Sequence, residues 1–124
     1  MKDGDEILHE LTIAENIITL VEDEIEKRQI VQKISRIVFV AGKLNAIIPE
    51  SLTFGFNTIK KEHSDLANAE LVIRILPIKI RCLSCGAEST IDEPEFVCQN
   101  CSGTEIEMLS GSEMFIESIE INEE

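Results

Sequence analysis

Cys82-Leu83-Ser84-Cys85 and Cys98-Gln99-Asn100-Cys101 are two C-x-x-C pairs separated by the 12 residues Gly86 to Val97. In such a pair both sulfurs point into one concavity. Two pairs on adjacent turns complete a tetrahedral cage of four sulfurs, which suits Zn2+ at about 2.3 Å per Zn–S bond. Gly86 follows the first pair and Ser102-Gly103 the second, supplying the positive φ that a tight turn around a metal demands. The separation is slightly shorter than the roughly 15 to 20 residues usual in a zinc ribbon, so a compact hairpin is expected. Four thiolates close the shell and no His stands beside either pair, so a structural metal is expected rather than a catalytic one. Iron binding, thiol redox chemistry and disulfides are the other readings of the same residues.

Besides the cysteines, the stretch Cys82 to Cys101 offers only Leu83, Ala87, Ile91, Phe96 and Val97 as apolar material. It cannot bury a core alone, so metal binding supplies most of its folding energy and chelation melts it first. After Gly111, Glu113 to Ile121 reads as a strand with Phe115, Ile119 and Ile121 on one face,. That strand has no core nearby in sequence, so it returns to a sheet formed earlier, and the cysteine module is an insertion between two strands of one domain.

The earlier elements follow from periodicity. Ile13, Ile17, Leu20, Val21 and Ile25 recur at helical spacing, and Thr12 with Glu15 forms a capping-box pattern that predicts the helix start. Lys33 to Ala41 is rich in β-branched residues and reads as a strand that stops at Gly42,. Pro49, Glu50 and Ser51 open a second helix with Leu52, Phe56 and Ile59 inward,. Asn68 to Leu76 is a second strand with Leu71, Ile73 and Ile75 on one side, interrupted by Pro77,. The predicted class is α+β: a small three-stranded sheet with two helices, plus an inserted zinc-ribbon-like module of four cysteines. The expected boundaries are a discontinuous α/β domain over 1–77 and 107–124, and a zinc-binding domain over 78–106.

The 124 residues carry 24 acidic and 11 basic side chains, a formal charge of −13. Contacts with phosphate need Lys or Arg to replace counterions, so nucleic acid and acidic membranes are poor partners. The longest apolar runs, such as Ile37 to Ala41, fall far short of the roughly 20 residues of a spanning helix. The acidic start, Met1 to Glu6, lacks the basic and apolar regions of an export signal. A cytoplasmic protein is expected, where four cysteines read as a metal site before disulfides. No G-x-S-x-G and no phosphate-cradling glycine loop occurs, so an enzyme is not expected,.

His9 and His63 are the two histidines. His9 with Glu10 sets an imidazole and a carboxylate at the start of the first helix, a weak transition-metal signal on chemistry alone. His63, beside Glu62 and Asp65, reads as a solvated loop residue. Glu50 either faces the start of the first helix or sits in the first turn of the second, where an anion is favoured.

The string His9-Glu10-Leu11-Thr12-Ile13-Ala14-Glu15, then Gly42-Lys43-Leu44, Ile48-Pro49-Glu50-Ser51-Leu52-Thr53-Phe54 with Phe56, the paired C-x-x-C, and Ser110-Gly111-Ser112-Glu113-Met114 with Ile116-Glu117-Ser118-Ile119 together resemble the HypA/HybF family. These are nickel-insertion accessory proteins of nickel-iron hydrogenase maturation, and the likeness runs in order from Leu8 to Ile121. The resemblance implies a nickel metallochaperone that works with a HypB-type GTPase and the hydrogenase large subunit, as a monomer or weak homodimer. It further implies Ni2+ as cargo at His9 and Glu10, through the imidazole and backbone nitrogens with the carboxylate tuning the site, and Zn2+ at Cys82, Cys85, Cys98 and Cys101. Imidazole and deprotonated amides in tight chelate rings favour square-planar Ni(II).

The chain departs from the family pattern at one place. Met1 to Ile7 precede the string, and Leu8 stands where the family has its initiator Met. Either translation starts at position 8, restoring a terminal amine, or the extension is real and nickel binds through His9 and amides at Leu8 to Glu10, with a carboxylate such as Glu10 or Glu6. The alternative function for the whole chain is a zinc-ribbon interaction scaffold without nickel delivery.

Overall fold

A computed structural model describes residues 2–122, with side-chain surroundings from His9 onward. The elements are α1 (Lys2–Arg28), β1 (Ile34–Gly42), α2 (Pro49–Ile59), β2 (Glu70–Leu76), β3 (Ile78–Cys82), β4 (Glu88–Ile91), β5 (Ile106–Ser110) and β6 (Met114–Ile121). Single 3-10 turns lie at Lys43–Asn45, Lys60–Glu62 and Ser64–Leu66. Two three-stranded sheets form, ordered β2-β1-β6 and β4-β3-β5. The expected α+β class holds: two helices with a small sheet, and a four-cysteine module inserted between strands of that sheet. The chain divides into two compact units. One takes in the chain up to Phe39, Ile47–Ile73 and the chain from Ile116 on; the other takes in Val40–Ala46 and Arg74–Phe115.

In the first unit, α1 buries Ile13, Ala14, Ile17, Ile18 and Val21, an apolar stripe at helical spacing. The helix starts at Lys2 and not at Thr12, which corrects the capping-box reading. Thr12 lies in the helix interior, where the amides that a cap would serve are already bonded four residues back. Leu20, predicted inward, is 54% exposed. At Gly55 of α2 an added Cβ would stand 3.0 Å from the Leu11 side chain and 3.7 Å from Ala14 Cβ, so α2 presents bare backbone where Leu11 and Ala14 of α1 come close. Leu52 and Phe56 of α2 are fully buried there.

β1 is the central strand, and its Ile34, Ile37, Phe39, Val40 and Ala41 are all buried. It runs antiparallel to β6: the Asn122 N–H donates to the Lys33 carbonyl at one end, and the Gly42 N–H to the Glu113 carbonyl at the other. The flanking strands are less covered. Ile75 of β2 and Phe115 of β6, both predicted inward, are 40% and 47% exposed, because alternation names a face but not whether an edge strand's end has anything packed on it.

In the second unit, β3 pairs antiparallel with β4 (Ile78 opposite Ile91, Arg81 opposite Glu88) and with β5 (Arg81 opposite Glu107). Ile78, Ile80 and Ile91 form a small core against which Leu44 and Ile106 pack. Sequence reading stops the second strand at Pro77; the structure resumes pairing in β3 immediately after it.

Candidate metal centre

The four sulfurs of Cys82, Cys85, Cys98 and Cys101 all lie within 4.8 Å of one another. Cys82 Sγ stands 3.6 Å from Cys101 Sγ, and Cys85 Sγ 3.6 Å from Cys98 Sγ. A tetrahedron with Zn–S bonds of about 2.3 Å has edges of about 3.8 Å, so the spacing fits a zinc cage. A disulfide would need sulfurs about 2.05 Å apart, and none of the four is bonded to another.

Local backbone chemistry builds the cage twice over. The Cys82 N–H donates to the Ala87 carbonyl at 2.9 Å, and the Gly86 N–H to the Cys82 carbonyl at 2.8 Å. The second pair repeats this offset for offset: Cys98 N–H to Gly103 carbonyl at 2.9 Å, and Ser102 N–H to Cys98 carbonyl at 2.9 Å. The fifth residue of each turn takes the left-handed conformation, Gly86 at φ 80° and Ser102 at φ 61°. In the second turn it is therefore Ser102, not the following glycine, that bears this conformation. Hydrogen-bond donors then face the sulfurs: the Asn100 and Cys101 N–H groups point at Cys98 Sγ (3.3 and 3.4 Å), and Asn100 Nδ2 at Cys85 Sγ (3.7 Å). Sequence reasoning missed Asn100. Its place inside the second pair, one residue before the last cysteine, was the available signal.

The thiols are pulled apart electrostatically. The Ala87 N–H and then the Asn100 amide hold the Cys85 thiol down at about 6. The Gly103 N–H draws Cys101 downward, but the neighbouring Cys82, Cys85 and Cys98 sulfurs outweigh it and push it up to about 12. Cys82 lies below its usual value because the Cys85 N–H favours its thiolate. Four sulfurs this close resist ionising together, and a divalent cation removes the conflict by stabilising every thiolate at once. Cys82 and Cys98 are buried and Cys85 and Cys101 exposed, so the cage opens to solvent on one side.

The predicted nickel residues sit elsewhere, on α1. His9 is exposed, whereas Glu10 is only 1% exposed. Glu10 Oε2 accepts the Ile48 N–H at 2.7 Å. Glu10 Oε1 is buried with no hydrogen-bond partner among the described residues, an arrangement that costs about 1–3 kcal/mol unless a donor or cation meets it. Glu50 is exposed in the first turn of α2. His63 is half-buried, not a free loop residue: its Nδ1 stands 2.7 Å from Glu22 Oε1 on α1. The cysteines are thus brought together as read, while His9 and His63 belong to different surroundings.

A profile of the family described as "Hydrogenase/urease nickel incorporation, metallochaperone, hypA" matches residues 8–121. The chain belongs to the HypA family. A hydrogenase maturation factor HypA of Desulfosudis oleivorans is 40% identical over 116 residues, covering 94% of this chain and 100% of the relative. The HypA of Aquifex aeolicus is 32% identical over 114 residues, 92% of this chain and 97% of the relative. Among solved structures, the nickel metallochaperone HypA of Helicobacter pylori superposes with a TM-score of 0.63 at 25% identity, covering 90% of this chain and 96% of that one. A second HypA solution structure gives 0.69 at 25% identity, with 94% and 98% covered. HypA membership makes this chain one of a family of metallochaperones for hydrogenase maturation, and the four-sulfur cluster is a metal-binding arrangement in keeping with it. No helix among the described residues is long and apolar enough to cross a membrane.

Proposed function

We propose that this HypA protein receives Ni2+ at its His9–Glu10 end and delivers it, together with a HypB-type GTPase, to the large subunit of a nickel-iron hydrogenase, without catalysing a reaction itself. Family membership across residues 8–121, which include both His9 and Glu10, carries the reading. The imidazole of His9 is exposed and available as a donor, and neutral imidazole suits Ni(II). Amide nitrogens around His9 and Glu10 complete the nickel site, with the Glu10 carboxylate tuning it. Because α1 runs from Lys2, those amides are tied into helical hydrogen bonds, and using them requires the opening turns to unwind.

In this reading Cys82, Cys85, Cys98 and Cys101 hold one structural Zn2+. The spacing of the sulfurs and the N–H groups directed at them support it. In sequence terms the proposed nickel domain is 1–77 with 107–124 and the proposed zinc domain 78–106, whereas the compact units assign Arg74–Phe115 together because β5 pairs with β3. The protein works in the cytoplasm as a monomer or weak homodimer.

The test is metal stoichiometry. Purified protein is expected to carry about one zinc per chain, and a Ni2+ titration to fill one further site that His9→Ala removes while zinc stays. Nickel affinity untouched by His9→Ala would leave the zinc-ribbon scaffold as the surviving reading.

A further inference from the structure

The buried stripe of α1 does not end in an apolar residue. Ile13, Ala14, Ile17, Ile18 and Val21 are continued toward the helix start by Glu10, a carboxylate 1% exposed at a position where the pattern calls for Leu or Ile,. A buried acid there is costly. Among the described residues one hydrogen bond holds it, from the Ile48 N–H at 2.7 Å. Ile48 is the N-cap residue of α2; it has no side chain able to cap, and Pro49 behind it brings no N–H. The start of α2 therefore lacks a local cap, and the acid reaching across from α1 takes that place beside the positive end of the α2 dipole.

This contact fixes more than the start of α2. Successive residues on a helix project about 100° apart, so when Glu10 is drawn inward onto Ile48, His9 is turned toward solvent, as observed. A polar group at a core position also resists a rotation or slide of one helix on another, since any other register strands it without a partner. Gly55 meets Leu11 and Ala14 with no side chain of its own, so near this end of the helix pair the Glu10–Ile48 bond adds a directional contact to the apolar packing.

We propose that Glu10 is a positioning residue: its carboxylate closes the start of α2 through the Ile48 N–H, sets the rotation of α1 that presents His9, and keeps this contact in the nickel-loaded protein instead of turning outward to ligate the ion. The functional half of this rests on nickel binding at His9. The opening turns of α1 can then unwind around the metal while Glu10 stays anchored as the fixed point between them and the core.

The experiment follows the Ile48 amide in the full-length, zinc-loaded chain by residue-resolved hydrogen exchange, with and without Ni2+, alongside nickel affinity. In the wild type, Ile48 stays protected on adding nickel. Glu10→Ala loses at least about tenfold in Ile48 protection, as expected for a lost charge-assisted hydrogen bond, and binds nickel about tenfold more weakly. Glu10→Gln keeps an oxygen acceptor, so it rescues both protection and nickel affinity to within about threefold of wild type. Loss of Ile48 protection when nickel is added to the wild type would overturn the proposal, because the carboxylate would then have left α2; this arm needs no variant to fold. So would a Glu10→Gln protein that protects Ile48 yet no longer binds nickel, which would make the carboxylate a ligand. Nickel binding that His9→Ala leaves intact would remove the His9 reading and with it the positioning role, even with Ile48 protected as described.

Discussion

Gly42 passes so close to Gly111 that a methyl group on its α-carbon would overlap the Gly111 carbonyl. The contact is tied down on both sides: the Gly42 N–H donates to the Glu113 carbonyl at 2.7 Å and the Leu44 N–H to the Gly111 carbonyl at 2.9 Å. Asn45 Nδ2 adds a bond to the same Glu113 carbonyl at 2.8 Å. Leu44 is thereby held against the Ile78, Ile80 and Ile91 core. Gly42→Ala is expected to destabilise the protein by about 1–3 kcal/mol, the usual range for overpacking, read as a lower denaturant midpoint. A variant as stable as the wild type would mean the two backbones separate at little cost.

Zinc uptake is expected to release fewer than four protons per ion at pH 7, measured with a pH indicator in weakly buffered solution. The sign follows from the thiols. Cys85, held at about 6, is already mostly thiolate and has little to give up, whereas Cys101, at about 12, releases a full proton. Linkage then makes zinc affinity fall as pH falls, since protons compete for every sulfur. Release of four protons would show that the Ala87 N–H does not lower Cys85.

For stability of the metal-free fold, the two shifts act in opposite windows. The depressed Cys85 contributes stability above its unfolded value of 9.0 that is lost as pH falls through about 6,. The raised Cys101 contributes stability that is present below 9.0 and lost as pH rises toward about 12,. Alkylation of the zinc-free chain at pH 7 is therefore expected to label Cys85 before Cys101 as long as the turns stay folded, although both are exposed,; equal labelling would show that removing the metal has melted them.

His63→Ala is expected to leave nickel binding unchanged and to cost less than about 1 kcal/mol. The His63–Glu22 pair is about one-third exposed on each side, and solvent-screened pairs of this kind contribute little. A large loss of nickel affinity in this variant would move the site away from His9.

Nickel loading is expected to reduce helical ellipticity by the equivalent of about two turns. α1 begins at Lys2, and the His9 and Glu10 amides cannot serve the metal while donating within the helix. Unchanged ellipticity on stoichiometric nickel binding would limit the donors to side chains.

The cysteine cage was legible letter by letter, because each pair and its turn is closed by bonds spanning only a few residues, from Cys82 to Ala87 and from Cys98 to Gly103. The buried stripe of α1 and the Pro49 start of α2 were legible for the same reason: periodicity and caps are local properties. Even so, local pattern misplaced the start of α1, where a capping motif at Thr12 stood inside a helix that continued through it.

The sequence by itself determined the α+β class and the two C-x-x-C pairs whose four sulfurs the fold gathers into one cluster, and it singled out His9 and Glu10 as the pair on which the nickel proposal rests. Only the tertiary structure decided what Glu10 and His63 touch, since Ile48 and Glu22 stand 38 and 41 residues away from them in the chain. It also decided that Leu20, Ile75 and Phe115 stay partly in solvent. Contacts at such separations depend on which elements come to lie side by side, and that is settled by burial of the whole core, not by the pattern of any one segment.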